Sequence, residues 1–193
     1  MFKNIRELVD LAEERNLSIS QVMLLKEQQE SGHTEAEIVS TMEDSFQVMK
    51  AAARRGVQGV TSHSGMTGGD AKKLDDYIRK GNPLTDPTFL RAITYAVATN
   101  EVNAAMGIIC SSPTAGACGT LPGVMLALQE KLNKTDGDVV RALFTAGAIG
   151  YVIANNAFIS GAAGGCQAEV GVASAMAAAA AVELAGGTPS QAA

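Results

Sequence analysis

Three stretches of small and polar residues interrupt the apolar segments of this 193-residue chain. They are loop one (residues 61–69, TSHSGMTGG), loop two (residues 110–123, CSSPTAGACGTLPG) and loop three (residues 160–169, SGAAGGCQAE). Hydroxyl groups and backbone N–H groups in such loops can bind a carboxylate or a phosphate. The apolar helices between the loops would gather them at one site, although the pattern of loop one by itself is at least as typical of an ordinary turn.

Loop three carries the most reactive side chain, because Cys166 follows Gly164 and Gly165 at the predicted start of a helix. A helix N-terminus favours the thiolate, which is the form of cysteine that binds metals and acts as a nucleophile. Asn155 and Asn156 lie shortly before this loop in an apolar segment and are expected to be buried. Buried amides need hydrogen-bond partners, so these two residues either cross-link helices or orient a ligand.

The three cysteines do not have the spacing of a zinc site. Cys110 and Cys118 are separated by seven residues, Cys166 is far downstream, and the chain has only two histidines. No C-x-x-C pair is present, which disfavours a closed tetrahedral zinc site. An iron–sulfur cluster held by these three thiols is chemically possible. His63, in loop one, fits a solvent-facing residue better than a general base.

The composition favours one folded domain in a reducing compartment. Hydrophobic residues make up 47% of the chain and charged residues 18%, which is enough apolar surface to form a core. The net charge of −5 argues against a nucleic-acid or membrane partner. An odd number of cysteines and a polar N-terminal segment predict the cytoplasm. The longest apolar stretches, residues 142–154 and 172–182, predict buried helices, because a membrane span needs roughly 20 apolar residues.

Helical periodicity and capping signals predict an all-α fold. Capping boxes mark three helix starts, at Ser18 with Gln21, Thr34 with Glu37 and Thr135 with Asp138. Asp86 followed by Pro87 marks a further start, and Gly56 is predicted to end the helix that Thr34 begins. No segment alternates apolar and polar residues as a strand does. We expect a single helical domain, with amphipathic helices in residues 1–56 and a loop-bearing core in residues 57–193.

Five segments along the chain carry a specific signature. Their sequences are GVTSHSGMTGGD (residues 59–70), ATNEVNAAMG (98–107), SPTAG (112–116), ANNA (154–157) and ISGAAGGCQAEVG (159–171). Together they resemble the α chain of the iron–sulfur-dependent L-serine dehydratases. The resemblance implies an all-helical catalytic domain that deaminates L-serine to pyruvate and ammonia. It also implies a [4Fe–4S] cluster in place of pyridoxal phosphate, and a separate β chain as partner.

Carried onto this sequence, the resemblance makes Cys166 a ligand of the cluster and leaves Cys110 and Cys118 outside the ligand set. The family's other two ligating cysteines would lie beyond residue 193, and the helix begun by Thr188 and Pro189 also predicts a longer natural chain. Residues 1–193 alone are therefore expected to hold no cluster and to be inactive. The expected substrate-binding residues are Thr61, Ser62, Ser64, Gly65, Thr114, Ala115, Gly116 and Asn155.

In the implied mechanism, an iron that has no cysteine ligand acts as a Lewis acid on the hydroxyl group of serine. A base removes the α-proton. The sequence does not identify this base, and the β chain is one source from which it could come.

Three other functions remain open at the level of sequence. A related lyase could act on L-cysteine with the same cluster. A pyridoxal-phosphate dehydratase would use loop one as the phosphate cradle and Lys72 or Lys73 as the Schiff base, and such enzymes have α/β folds. The 193 residues alone could also be a non-catalytic helical module that binds a partner.

Overall fold

The computed structural model describes all 193 residues and contains ten α-helices and no strand. The helices are α1 (Ile5–Glu14), α2 (Ile19–Ser31), α3 (Glu35–Gln58), α4 (Asp70–Arg79), α5 (Pro87–Ala104), α6 (Thr120–Leu132), α7 (Asp136–Asn156), α8 (Gly161–Gly164), α9 (Cys166–Leu184) and α10 (Pro189–Ala192). One 3-10 turn precedes α6, and an isolated bridge joins the two ends of loop one. The all-α prediction is confirmed, and the α/β fold that the pyridoxal-phosphate alternative requires is not present.

Local capping signals account for the starts of most of the longer helices. The three predicted capping boxes lie at helix starts: Ser18 with Gln21 at α2, Thr34 with Glu37 at α3 and Thr135 with Asp138 at α7. The carboxylate of Asp86 caps α5, whose first residue is Pro87. In each case a side-chain oxygen accepts a hydrogen bond from a backbone N–H group that the first helical turn leaves unpaired.

Contacts divide the chain into two compact units. Unit 1 comprises Met1–Asp44 and Thr135–Ala193, and unit 2 comprises Ser45–Lys134. Helix α3 contributes its first residues to unit 1 and the remainder to unit 2. The expectation of a single helical domain, with a loop-bearing core from residue 57, stays a prediction.

Unit 1 is built around α7 and α9, which pack against each other and contain buried small residues such as Ala146 and Ala177. Glu183, near the end of α9, accepts hydrogen bonds from the Thr145 hydroxyl on α7 (2.6 Å) and from the Ser20 backbone N–H on α2 (3.3 Å). This half-buried carboxylate, with two hydrogen bonds to neighbouring helices, joins α2, α7 and α9 at one point. These contacts fix the position of α9, whose first turn belongs to loop three.

Unit 2 is organised around α5, against which α4 and α6 pack. A Cβ atom added at Gly56 in α3 would lie 2.2 Å from the carbonyl oxygen of Ala98 in α5. At Gly119, before α6, an added Cβ would lie 2.2 Å from the carbonyl oxygen of Ala96. The predicted helix end at Gly56 is therefore wrong: α3 continues through this glycine, which serves close packing rather than termination. Both close approaches are to backbone in the second half of α5.

Helix α7 is long and apolar enough to cross a membrane when only length and composition are considered. However, 56% of its most apolar window is buried by the rest of the protein. A buried core helix passes the same test, so this is weak evidence for a membrane span. The apolar stretch of residues 142–154, for which a buried helix was predicted, lies within α7.

Candidate functional site

The C-terminal part of α5 contacts loop two and the first residue after loop one, the two loops of unit 2 that were predicted to bind substrate. The Nδ2 atom of Asn103 donates a hydrogen bond to the carbonyl oxygen of Ala115 in loop two (3.0 Å). Two residues earlier, the Oε1 atom of Glu101 accepts a hydrogen bond from the backbone N–H of Asp70, directly after loop one (2.6 Å). One helix thus contacts loop two and the start of α4, where loop one ends.

Loop one is a closed turn that is held together by its own serine hydroxyls. The backbone N–H groups of Met66 and Thr67 donate hydrogen bonds to Ser64 Oγ (3.3 Å) and Ser62 Oγ (3.2 Å). The two Oγ atoms lie 3.2 Å apart and share a further hydrogen bond. Each hydroxyl has one hydrogen to donate, and their mutual contact uses one of the two. One O–H group therefore remains to donate to a ligand such as a carboxylate.

The other loop-one residues expected to bind substrate, Thr61 and Gly65, are exposed. Thr61 pairs with Gly68 in the isolated bridge that closes the base of the loop. A Cβ atom at Gly68 would lie 2.1 Å from the carbonyl oxygen of Val60, so this close pairing requires a glycine. The structure brings the four expected residues of loop one together, and their role in substrate binding stays a prediction.

Loop two is shorter than predicted, because α6 begins at Thr120 and contains residues 120–123. Ala115 and Gly116 are exposed in the 3-10 turn, and Thr114 before it is half-buried. Ser112 is buried, and its Oγ atom has no hydrogen-bond partner. Buried hydroxyl groups are normally paired, so Ser112 is a residue of loop two that has unused capacity to bind a ligand.

Loop three lies in unit 1 and, as predicted, places Cys166 at the first residue of a long helix, α9. The thiol is exposed and is not part of a disulfide. Gly165, directly before it, has a φ of 80°, and no side chain caps the first turn of α9. The dipole of a helix stabilises negative charge at this end, which suits a sulfur atom that binds a metal.

The prediction that Asn155 and Asn156 are buried is wrong. Both are exposed in the last turn of α7. The Nδ2 atom of Asn155 donates to the carbonyl oxygen of Tyr151 in the same helix (2.8 Å). The Nδ2 atom of Asn156 donates to the carbonyl oxygen of Lys3 (2.9 Å), so this residue connects α7 to the N-terminal segment. A substrate role for Asn155 stays a prediction.

Cys110 and Cys118 lie in unit 2 and have the properties of unreactive thiols. Cys118 is fully buried, and its Sγ atom donates to Asn100 Oδ1 (3.4 Å). Burial raises the pKa of Cys118 to about 11 and also raises the pKa of Cys110. Metal ligation requires the thiolate form, which burial disfavours. No group of three His, Cys, Asp or Glu side chains is arranged to hold a metal ion.

Iodoacetamide is expected to modify Cys166 first and Cys118 last in the folded, metal-free protein. The rise of the Cys118 pKa from 9.0 to about 11 lowers its thiolate fraction about 100-fold near neutral pH, and its sulfur is also shielded. Timed alkylation followed by peptide mass spectrometry measures the three rates. In a urea-unfolded control the rates should converge. Labelling of Cys118 as fast as Cys166 in the folded protein would show that Cys118 is accessible and ionised.

Sequence reasoning does not single out Glu101, which is buried within α5 and holds the start of α4. One residue in the sequence indicates that α4 needs a cap from elsewhere. Gly69 occupies the N-cap position of α4, and a glycine has no side chain that could cap the helix. The acceptor therefore has to come from elsewhere in the fold. Its identity depends on a contact between residues 31 positions apart, which no local pattern contains.

A family model described as the serine dehydratase alpha chain matches residues 14–193. The probable L-serine dehydratase alpha chain of Bacillus subtilis is 56% identical over 193 residues, covering all of this chain and 64% of the relative. The L-serine dehydratase alpha chain of Peptoniphilus asaccharolyticus is 39% identical, covering all of this chain and 66% of the relative. L-serine dehydratase 1 of Escherichia coli is 36% identical, covering 98% of this chain and 43% of the relative. The chain spans less than two thirds of the length of these relatives.

Proposed function

The chain belongs to the serine dehydratase alpha chain family, and we propose that the full-length protein deaminates L-serine to pyruvate and ammonia. The observation that carries the proposal is the family match, which extends over loop one, loop two and Cys166. The hydroxyl groups and backbone of the two unit 2 loops suit the carboxylate of a small amino acid. The alpha-chain names of two relatives support a separate β chain as partner.

We propose a [4Fe–4S] cluster as the cofactor of the full-length protein. Cys166 fits one ligand position, because its thiol is exposed at the uncapped start of α9. Cys110 and Cys118 fit poorly, because burial holds them as thiols. Residues 1–193 therefore supply one suitable cysteine ligand, and we propose that the other ligands lie in the part of the relatives' length that this chain does not span. When bound, the cluster would supply a Lewis acid for the departing hydroxyl group.

In this proposal the chain's own residues bind and orient the substrate. The spare O–H group of the Ser62–Ser64 pair donates to the substrate carboxylate, and the buried hydroxyl of Ser112 is a second available donor. Loop one is closed by its own hydrogen bonds and α5 contacts loop two, so both loops are held before substrate arrives, which reduces the ordering that binding requires. The cytoplasm is the proposed location, supported by three cysteines that form no disulfide.

Anaerobic reconstitution of the full-length protein with iron and sulfide, in the presence of its β chain, tests the proposal. The expected result is release of pyruvate and ammonia from L-serine by the reconstituted protein, and none by residues 1–193 alone. Release of sulfide from L-cysteine at a higher kcat/KM than pyruvate from L-serine would instead favour the related L-cysteine lyase. Binding of neither amino acid by the reconstituted protein would contradict both functions and leave the helical binding module.

A further inference from the structure

Glu101 is a buried carboxylate of which only one oxygen atom has hydrogen-bond partners. The residue is 3% exposed. Its Oε1 atom accepts hydrogen bonds from the backbone N–H groups of Asp70 (2.6 Å) and Ala71 (3.3 Å). Its Oε2 atom is shielded from solvent and has no partner. A buried carboxylate oxygen without a donor is unfavourable, because the lost hydration is not replaced.

The structural role of Glu101 accounts for one oxygen atom and leaves the other unexplained. Helix α4 begins after Gly69, which has no side chain, and Glu101 supplies the missing cap from α5. Capping needs a single acceptor oxygen, as Asp86 demonstrates at the start of α5: its Oδ1 atom alone accepts from the backbone N–H groups of Thr88 (2.9 Å) and Phe89 (3.1 Å). Unlike Glu101, Asp86 is exposed, so water can solvate its second oxygen. The free Oε2 atom of Glu101 therefore points to a donor that arrives with a ligand.

The surroundings of Glu101 define which donor this is. Loop one leads directly into the turn that Glu101 caps, and the Ser62–Ser64 pair in that loop retains an O–H group for an anionic ligand. Two residues further along α5, Asn103 holds loop two. A carboxylate bound directly after one hydroxyl-bearing loop, and two residues from the contact to the other, complements a ligand that has an anionic and a cationic end. An α-amino acid in its zwitterionic form has this distribution of charge.

We infer that the Oε2 atom of Glu101 accepts a hydrogen bond from the ammonium group of the amino-acid substrate, an inference that rests on the proposed function. Because the site is shielded from water, the charge-assisted hydrogen bond is stronger than it would be at the surface. Glu101 is thereby a specificity residue: it selects substrates with an α-amino group over analogues with a neutral group at the same position.

The test compares Glu101→Gln with Asp86→Asn in the full-length, anaerobically reconstituted protein. Glutamine keeps the Oε1 atom that caps α4 but replaces the free acceptor with an N–H donor, which repels an ammonium group. Asparagine at position 86 likewise keeps a capping oxygen, so the two variants lose the same charge at two helix caps. Calorimetry measures the binding of L-serine and of L-glycerate, in which a hydroxyl group replaces the ammonium group. Circular dichroism and thermal unfolding show whether each variant folds.

We expect Glu101→Gln to weaken binding of L-serine about 10- to 100-fold and to raise its KM, while binding of L-glycerate changes less than about threefold. Asp86→Asn should bind both compounds as the wild type does. The wild type itself should prefer L-serine to L-glycerate by at least about tenfold, and this comparison needs no variant.

Several outcomes would overturn the inference alone. The first is a wild type that binds L-serine and L-glycerate with equal affinity. The second is a Glu101→Gln variant that binds both compounds as tightly as Asp86→Asn does. The third is a Glu101→Gln variant whose affinity for both compounds falls by the same factor. If the wild type neither binds nor converts L-serine, the proposed function is wrong, and the inference that rests on it is wrong as well.

Discussion

Replacing Cys166 by alanine in the full-length protein is expected to remove the iron and to abolish the conversion of L-serine. The proposed cluster needs a thiolate at this position, and alanine supplies no ligand atom to replace it. The variant Cys166→Ser is expected to show the same loss, because an alcohol ligates iron much more weakly than a thiolate. Iron per chain and the rate of pyruvate release, both measured anaerobically after reconstitution, give the result.

Cys110→Ala and Cys118→Ala are the matched controls, since each also removes one thiol. Both variants should retain iron and turnover, because burial keeps these two side chains in the thiol form. A Cys166→Ala protein that keeps both its iron and its turnover would remove Cys166 from the ligand set. Loss of iron in the Cys110 or Cys118 variant would show that a unit 2 thiol belongs to that set.

Replacing Gly56 by alanine is expected to lower the free energy of unfolding by about 3 kcal/mol or more. The added methyl group would lie 2.2 Å from the backbone carbonyl oxygen of Ala98, and backbone cannot turn aside as a flexible side chain can. Either α3 or α5 must shift, and α5 carries Glu101, which caps α4 after loop one, and Asn103, which contacts loop two. The loss of stability is therefore expected to be accompanied by a higher KM. Urea denaturation and steady-state kinetics of the full-length protein measure the two effects.

Gly147→Ala is the matched control for this prediction. Gly147 lies inside α7, and a methyl group added there meets no atom within 4 Å. Alanine in the interior of a helix is favoured over glycine, so this variant should be more stable than the wild type by about 0.5–1 kcal/mol. Equal stability of the two glycine variants would show that the contact between Gly56 and Ala98 adjusts without cost.

The helix starts could be predicted from the sequence because their signals are local. In a capping box the side chain and the N–H group that it binds are three residues apart, as at Ser18 and Thr135. The position of Cys166 at a helix start follows in the same way from the two glycines before it. The apolar residues recur at the spacing of a helix and nowhere alternate with polar residues as in a strand, which was sufficient to predict that no sheet is present.

The errors arise where a distant contact decides the outcome. Gly56 has the sequence pattern of a helix end, but the approach of α5 at Ala98 makes it a packing position within α3. The two asparagines near the end of α7 were expected in the interior because their neighbours are apolar, yet that turn is exposed. Nothing in the sequence around Glu101 indicates its capping role, since the N–H groups that it binds belong to another helix. Local patterns describe the helices, whereas the candidate site depends on how the helices meet.

The hydrogen bonds inside loop one have a thermodynamic consequence for ligand binding. Ser62 and Ser64 already hold the backbone of the loop, so most of its conformational entropy is lost when the protein folds. A ligand that binds the remaining O–H group then has little further disorder to remove from the loop. Substituting Ser62 by alanine should therefore make the entropy of L-serine binding less favourable, in addition to removing any direct contact. The serines of loop one thus contribute to affinity through the order that they impose on the unliganded protein.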